Sequence, residues 1–243
     1  MKAEPGTDAT TESELLHGEP VAVYEEREGW AWVQSGIDDY VGYVEAKSLG
    51  AAEAPATHRV SALSTFLYPE PDLRRPPRGA LSLGCRLALG DTVEVRDTAY
   101  RLVVGGGAVI EGHVAPLDAA PENDHVAVAE RFLNVPYLWG GRTSHGVDCS
   151  SLVQLALMAV GVPCPRDTDL QEAVLGSAVE GATEAPRQPG DFVFWPGHVA
   201  IMLDNEYMIH ASGHHMMVVI EPLAEAVERI AGKVGRPTSL RRL

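Results

Sequence analysis

Over the first 120 positions apolar and polar residues alternate in short runs broken by Gly or acidic residues. One set reads H-G-E-P-V-A-V-Y from His17, G-W-A-W-V at Gly29–Val33 and Y-V-G-Y-V at Tyr40–Val44. A second set reads L-G-D-T-V-E-V-R from Leu89, Y-R-L-V-V at Tyr100–Val104 and I-E-G-H-V at Ile110–Val114. Gly18 to Gly42 spans 24 residues and Gly90 to Gly112 spans 22, so the sets agree in length as well as order. Period-two alternation between Gly turns predicts short strands. Two such sets predict two small β-barrels of roughly 50–60 residues each. Their expected bounds are residues 1–52 and 58–119. A-A-E-A-P-A-T at Ala51–Thr57 reads as a linker, and Pro- and Arg-rich Pro69–Gly79 as a long loop inside the second unit.

After Pro121 the period changes. Asp124–Leu133 carries apolar residues at helical spacing behind an acidic start, P-Y-L-W-G-G reads as a turn, and Ser150–Val160 is a strongly apolar helix stopped by Gly161 and Pro163. Four strands are expected at Asp191–Trp195, Val199–Leu203, Tyr207–Ala211 and Met216–Ile220, with a short helix at Leu223–Ile230. Helices followed by an antiparallel meander predict an α+β domain over residues 122–243.

Composition narrows the function classes. At 45% hydrophobic residues a packed core is expected, and no apolar run reaches the 18 residues a transmembrane helix needs. The net charge of −15 disfavours nucleic acid and anionic membranes as partners. Residues 1–50 hold eleven Asp/Glu against three Lys/Arg, which suits either a cationic ligand group or plain solubility. The polar, acidic start does not resemble a signal peptide, so a cytoplasmic location is expected. Three cysteines without C-x-x-C spacing argue against a disulfide framework or a zinc ribbon. Cys85 and Cys164 read as small buried residues.

Cys149 is different. In G-V-D-C-S-S-L-V-Q it sits where an apolar helix begins, among unpaired amides and partial positive charge. Such a site favours thiolate over thiol and can hold an oxyanion, and Asp148 beside it can cap the helix. That segment alone does not separate a nucleophile from a buried structural cysteine. His198, in P-G-H-V-A-I-M-L, starts a strand 49 residues later, and His210, in Y-M-I-H-A-S-G, follows after another twelve. Adjacent antiparallel strands would bring both rings to one face, His198 as the proton carrier and His210 as its orienter. His210, His214 and His215 lack a matching acidic or thiolate ligand, so no metal or other cofactor is expected.

These pieces resemble a known family. P-Y-L-W-G-G, G-V-D-C-S-S-L-V-Q, P-R-D-T, Q-P-G-D-F-V-F-W, G-H-V-A-I and I-H-A-S-G occur in the order and spacing of the NlpC family of cell-wall cysteine peptidases, over Asp124–Leu243. The resemblance implies a papain-like fold and a Cys-His-His triad of Cys149, His198 and His210. It places Tyr137 near the thiol as an oxyanion donor, and Trp139, Asp148, Ser150 and Thr168 along the substrate pocket, Asp148 as a contact for a substrate amine. The units in front resemble bacterial SH3-like domains. In similar proteins the first of these restricts the substrate to murein peptides with a free N-terminal L-Ala, cut between γ-D-Glu and meso-diaminopimelate or L-Lys. Glu14 and Tyr40 are then candidates for the ammonium contact. Alternative readings are a secreted hydrolase of intact peptidoglycan, a non-catalytic SH3-like peptide-binding protein, and an amidase or acyltransferase. Two positions depart from the family pattern, Ser151 and Ala200 where Gly is usual, and they bear on packing more than on chemistry.

Overall fold

A computed structural model describes residues 1–51, 54–181 and 186–243. The chain divides into two compact units, Met1–Ala120 and Pro121–Leu243.

In the first unit, β1 (Val21–Arg27), β2 (Trp30–Ser35) and β3 (Val41–Glu45) form an antiparallel meander that ends in a 3₁₀ turn at Ala46–Ser48. The alternation in β2 works as expected: Ala31, Val33 and Ser35 are buried while Trp30, Trp32 and Gln34 face outward. Ala31, Val33, Val44 and Met1 make the small core, with Leu15, Val21 and Tyr40 against it. Four more strands follow, β4 (His58–Val60), β5 (Ser64–Leu67), β6 (Gly79–Ser82) and β7 (Arg86–Leu87), before a second meander. That meander is β8 (Leu89–Val95), β9 (Thr98–Val103) and β10 (Ala108–Ile110), again closed by a 3₁₀ turn, Glu111–His113, and followed by β11 (Val114–Pro116). The likeness of the two sets extends to detail. Each first strand carries one register shift, and each first hairpin turns through two residues of positive φ, Glu28–Gly29 and Arg96–Asp97. Such turns match the right-handed twist of the strands they join. No strand lies between β5 and β6, in keeping with the expected loop. Of the expected linker, residues 52 and 53 lie outside the described residues.

The second unit opens with α1 (His125–Glu130). Asp124 caps it, its carboxylate accepting from the amides of Val126 and Ala127. A small hairpin, β12 (Arg142–Thr143) with β13 (Gly146–Val147), leads into α2 (Cys149–Ala159). Then come α3 (Thr168–Val174), β14 (Ser177–Ala178), β15 (Phe192–Trp195), β16 (His198–Met202), β17 (Tyr207–Ser212), β18 (Met217–Pro222), α4 (Leu223–Val234) and β19 (Ser239–Arg242). The sheet order is β14-β19-β15-β16-β17-β18. The four predicted strands form the meander β15 to β18. The sequence did not disclose α3, and it left out β19, whose S-L-R-R offers one apolar residue yet inserts between β14 and β15.

Both faces of this sheet are covered, so β15 and most of β16 are buried throughout. Val193, Trp195, Ala200, Met202, Met208 and Leu240 pack with Leu223 and Ala226 of α4. Helix α2 packs on β16 and β17. From Cys149 to Leu157 every residue of α2 is buried, and each fully buried leucine contributes roughly 1.5–3 kcal/mol.

Candidate active site

The N-terminus of α2 is fixed by a capping box. The Asp148 carboxylate accepts from the Ser151 amide at 2.9 Å, and the Asp148 amide donates to Ser151 Oγ at 2.9 Å. Ser151, one of the two departures from the family pattern, thereby gains a capping task that a glycine could not perform. Ala200, the other, is buried in the sheet core without a polar atom to satisfy. Asp148 does more than cap. Its Oδ1 accepts from Ser150 Oγ (3.2 Å) and Arg166 Nη1 (3.0 Å), and its Oδ2 from the Gly140 amide (3.0 Å) and Arg166 Nη2 (2.6 Å). Arg166 Nη1 also donates to Ser150 Oγ at 2.8 Å. Gly140, at φ 72°, is the residue type that lets the W-G-G turn aim its amide inward. Both oxygens of Asp148, expected beside a substrate amine, are thus already taken up by the protein itself. Arg166 is 2% exposed and locked on this carboxylate, which gives it a structural task.

Cys149 Sγ lies 3.9 Å from Thr168 Oγ1 at the start of α3 and 3.9 Å from the Gly197 carbonyl, the residue before His198. The turn into β16 therefore rests against the Cys149 end of α2. The sequence led us to expect a lowered thiol pKa, and here the structure corrects it. Burial, reinforced by the charge of Asp148, pushes the Cys149 thiol up to about 11, although the Ser150 and Val199 amides and the Thr168 hydroxyl favour the thiolate. The helix N-terminus acts in the expected sense, but desolvation outweighs it.

His198 and His210 come together as expected. Ile201 pairs with Ile209 and Met202 with Met208, and continuing that register makes His198 a diagonal neighbour of His210 on one face. His198 Nε2 lies 2.7 Å from His210 Nδ1. Two residues escaped the sequence reading. His210 Nε2 lies 2.6 Å from Glu221 Oε1 of β18, and Arg229 of α4 donates to both Glu221 oxygens, at 2.7 Å to Oε2. The only sequence signal was an acidic residue inside an apolar strand run.

Burial drives the His198 pKa down to about 3, helped by His210, and burial likewise lowers His210. The unfolded chain binds a proton at each His near pH 6.5, while the folded chain refuses it until far lower pH. Stability is thus full above about pH 7 and falls as pH drops from 6.5 toward 3. His198 alone should remove roughly 2 kcal/mol between pH 7 and pH 5. Urea midpoints at the two pH values, compared with those of His198→Asn, measure this, and an equal loss in the variant would contradict it.

Tyr137 is partly buried and its amide donates to the Met216 carbonyl. Burial and the charges at Cys149 and Asp148 raise its pKa further, which keeps the phenol protonated as a donor. Ser150 and Thr168 are buried, whereas Trp139 is 61% exposed. Glu14 and Tyr40 lie in the Met1–Ala120 unit, where Tyr40 packs against the small core. Among the described residues no three His, Cys, Asp or Glu side chains form a metal-binding group.

Comparison with known proteins now bears on this geometry. Residues 134–229, the span of nearly every group just described, match the NlpC/P60 family. The chain carries an NlpC/P60 domain. Residues 2–49 match the bacterial dipeptidyl-peptidase SH3 domain. A dipeptidyl-peptidase 6 from Lysinibacillus sphaericus is 29% identical over 232 residues, covering 87% of this chain and 84% of that one. A gamma-D-glutamyl-L-lysine dipeptidyl-peptidase from Bacillus cereus is 30% identical over 109 residues, 42% of this chain and 32% of that one. In the crystal structure of an NlpC/P60 family protein from Bacillus cereus, 95% of this chain and 81% of that one superpose with a TM-score of 0.77 at 23% identity, which shows a shared fold. The NlpC/P60 domain is therefore α+β and papain-like, and it is preceded by an SH3 domain.

Proposed function

We propose that this chain is a cysteine endopeptidase that hydrolyses the bond between γ-D-Glu and the following diamino acid, meso-diaminopimelate or L-Lys, in murein peptides with a free N-terminal L-Ala. The observation that carries the reading is the meeting of Cys149, at the capped end of α2, with the β16 start that bears His198, itself hydrogen-bonded to His210. The names of the two dipeptidyl-peptidase relatives support a substrate read from its amino end. Trimming of released wall peptides, as in wall recycling, fits such a substrate.

In this reading Cys149 Sγ attacks the γ-glutamyl carbonyl carbon while His198 takes the thiol proton. The oxyanion is held by the Cys149 amide and the Tyr137 hydroxyl. His198 passes its proton to the departing amine as the C–N bond breaks, leaving a thioester. Water, deprotonated by His198, cleaves the thioester and restores the thiol. Thr168, Ser150 and Trp139 border the acyl group. Residues 1–52 and 58–119 are read as two SH3-like modules, on the strength of their matching meanders.

The test is a substrate panel: L-Ala-γ-D-Glu-meso-diaminopimelate, its L-Lys counterpart, the N-acetylated peptide, and intact sacculi. Release of L-Ala-γ-D-Glu from the free peptides, with the acetylated peptide at least about tenfold slower, is expected where a site pairs with a substrate ammonium. Equal cleavage of the acetylated peptide would sink the free-amine reading. Cleavage of sacculi alone would favour a hydrolase of intact wall.

A further inference from the structure

The chain of contacts that begins at His198 continues through His210 to a partly buried ion pair between Glu221 and Arg229, drawn from a strand and a helix that the Cys-His-His reading leaves out. We infer that Glu221 and Arg229 are positioning residues that decide which ring nitrogen of His198 is free to take the thiol proton. The inference rests on the proposed partnership of Cys149 and His198.

The argument is one of counting protons. An ionised carboxylate only accepts hydrogen bonds. Facing Glu221 Oε1 at 2.6 Å, His210 Nε2 must carry hydrogen. A neutral imidazole has a single N–H, so His210 Nδ1 is an acceptor. His198 Nε2, 2.7 Å away, must then donate to it. The lone pair of neutral His198 is left on Nδ1. With the carboxylate removed, His210 could donate from Nδ1 instead, and His198 would accept on Nε2 and carry its hydrogen on Nδ1. That tautomer offers the thiol no base at the same nitrogen. Glu221 thus selects one of two mirror-image proton arrangements across two imidazoles.

Arg229 has the complementary task. A carboxylate 9% exposed is costly to ionise without hydrogen-bond donors, and His210 supplies the first. Both guanidinium nitrogens of Arg229 hold it as the anion, and the hydrogen bonds from His210 and Arg229 overcome burial to bring its pKa down to about 2. The same cation also lowers the proton affinity of both imidazoles. The charged and titratable groups around this line are His210 and His198 from β17 and β16, Arg229 from α4, His215 from the turn after β17, and, on the α2 side, Cys149 and Asp148 with its partner Arg166.

The two residues should therefore move the acid limb of Cys149 reactivity in opposite directions. The experiment is alkylation of the full chain by iodoacetamide from about pH 2.5 to about pH 11.5, a window that brackets both groups, read by mass spectrometry at Cys149, for the parent, Glu221→Gln and Arg229→Met. Glu221→Gln removes the anion that supports an imidazolium and the fixed tautomer, so the limb moves to lower pH and the plateau rate falls by about tenfold or more. Arg229→Met removes the opposing cation while the His210 N–H still holds Glu221 as the anion, so the limb moves to higher pH. Loss of packing alone cannot give opposite signs. Unmoved limbs, or limbs that move together, overturn the inference. If Glu221→Gln does not fold, the direction in Arg229→Met decides by itself, because that residue stands at the partly exposed end of the line. The readout uses no peptide, so an error in the substrate assignment leaves it intact.

Discussion

Replacing Cys149 by Ala should lower peptide hydrolysis by about 10⁴-fold or more, since removing the nucleophile removes the covalent path and leaves only binding and the oxyanion donors. Stability should hardly change. Sγ makes only long contacts, 3.9 Å to Thr168 and to Gly197, and the helix it starts is held by the Asp148–Ser151 box rather than by the thiol. Loss of one small buried atom costs about 1 kcal/mol. The measurement pairs initial rates on the free tripeptide with a thermal melt. A variant that folds as well as the parent and cuts within tenfold of it would remove Cys149 from the mechanism. Cys164→Ala is the matched control: that residue is also buried but its contacts run to Pro165, and full activity is expected.

Arg166→Met should be the most damaging change outside the nucleophile and its histidines. The side chain is buried, and it supplies three of the hydrogen bonds around Asp148 and Ser150. Without it, Asp148 becomes a buried anion lacking a counter-charge next to the thiol. Breaking such a pair by removing one partner typically costs about 3–5 kcal/mol. The loss is measured by urea unfolding at pH 7. Adding Asp148→Asn should recover part of it, because Asn still caps a helix while carrying no charge. A loss below about 1 kcal/mol would show that the pair contributes little beyond geometry.

What the sequence disclosed and what it withheld differ in kind. Cys149 at a helix start and His198 and His210 at strand positions belong to short contiguous runs, and each run carries its own local signal. Glu221 does not. His210 pairs with Val219, and Glu221 reaches it only as the diagonal neighbour two residues on, so finding it requires the strand register. Arg229 lies on the helix that follows, and its approach depends on which face of the sheet α4 covers. The Asp148–Arg166 pair was hidden for the same reason, being a contact between a helix cap and a loop 18 residues away. The thiol pKa was misjudged because the sequence shows the helix dipole but not the depth of burial, and here depth decides. The repeat in the first 120 residues was visible as spacing. Its matching positive-φ turns were not, since Glu28 and Arg96 are not residues that announce such a backbone.

Strand β19 carries a consequence for how this molecule comes to exist. Residues 239–242 lie between β14 and β15, and β15 in turn supports the strand that bears His198. On a growing polypeptide, Cys149 leaves the ribosome some ninety residues before the strand that completes its sheet. Contacts of such long sequence separation form late. In the proposed mechanism the nucleophile is therefore synthesised first, and the sheet that carries its base closes only once residues 239–242 are free to enter it.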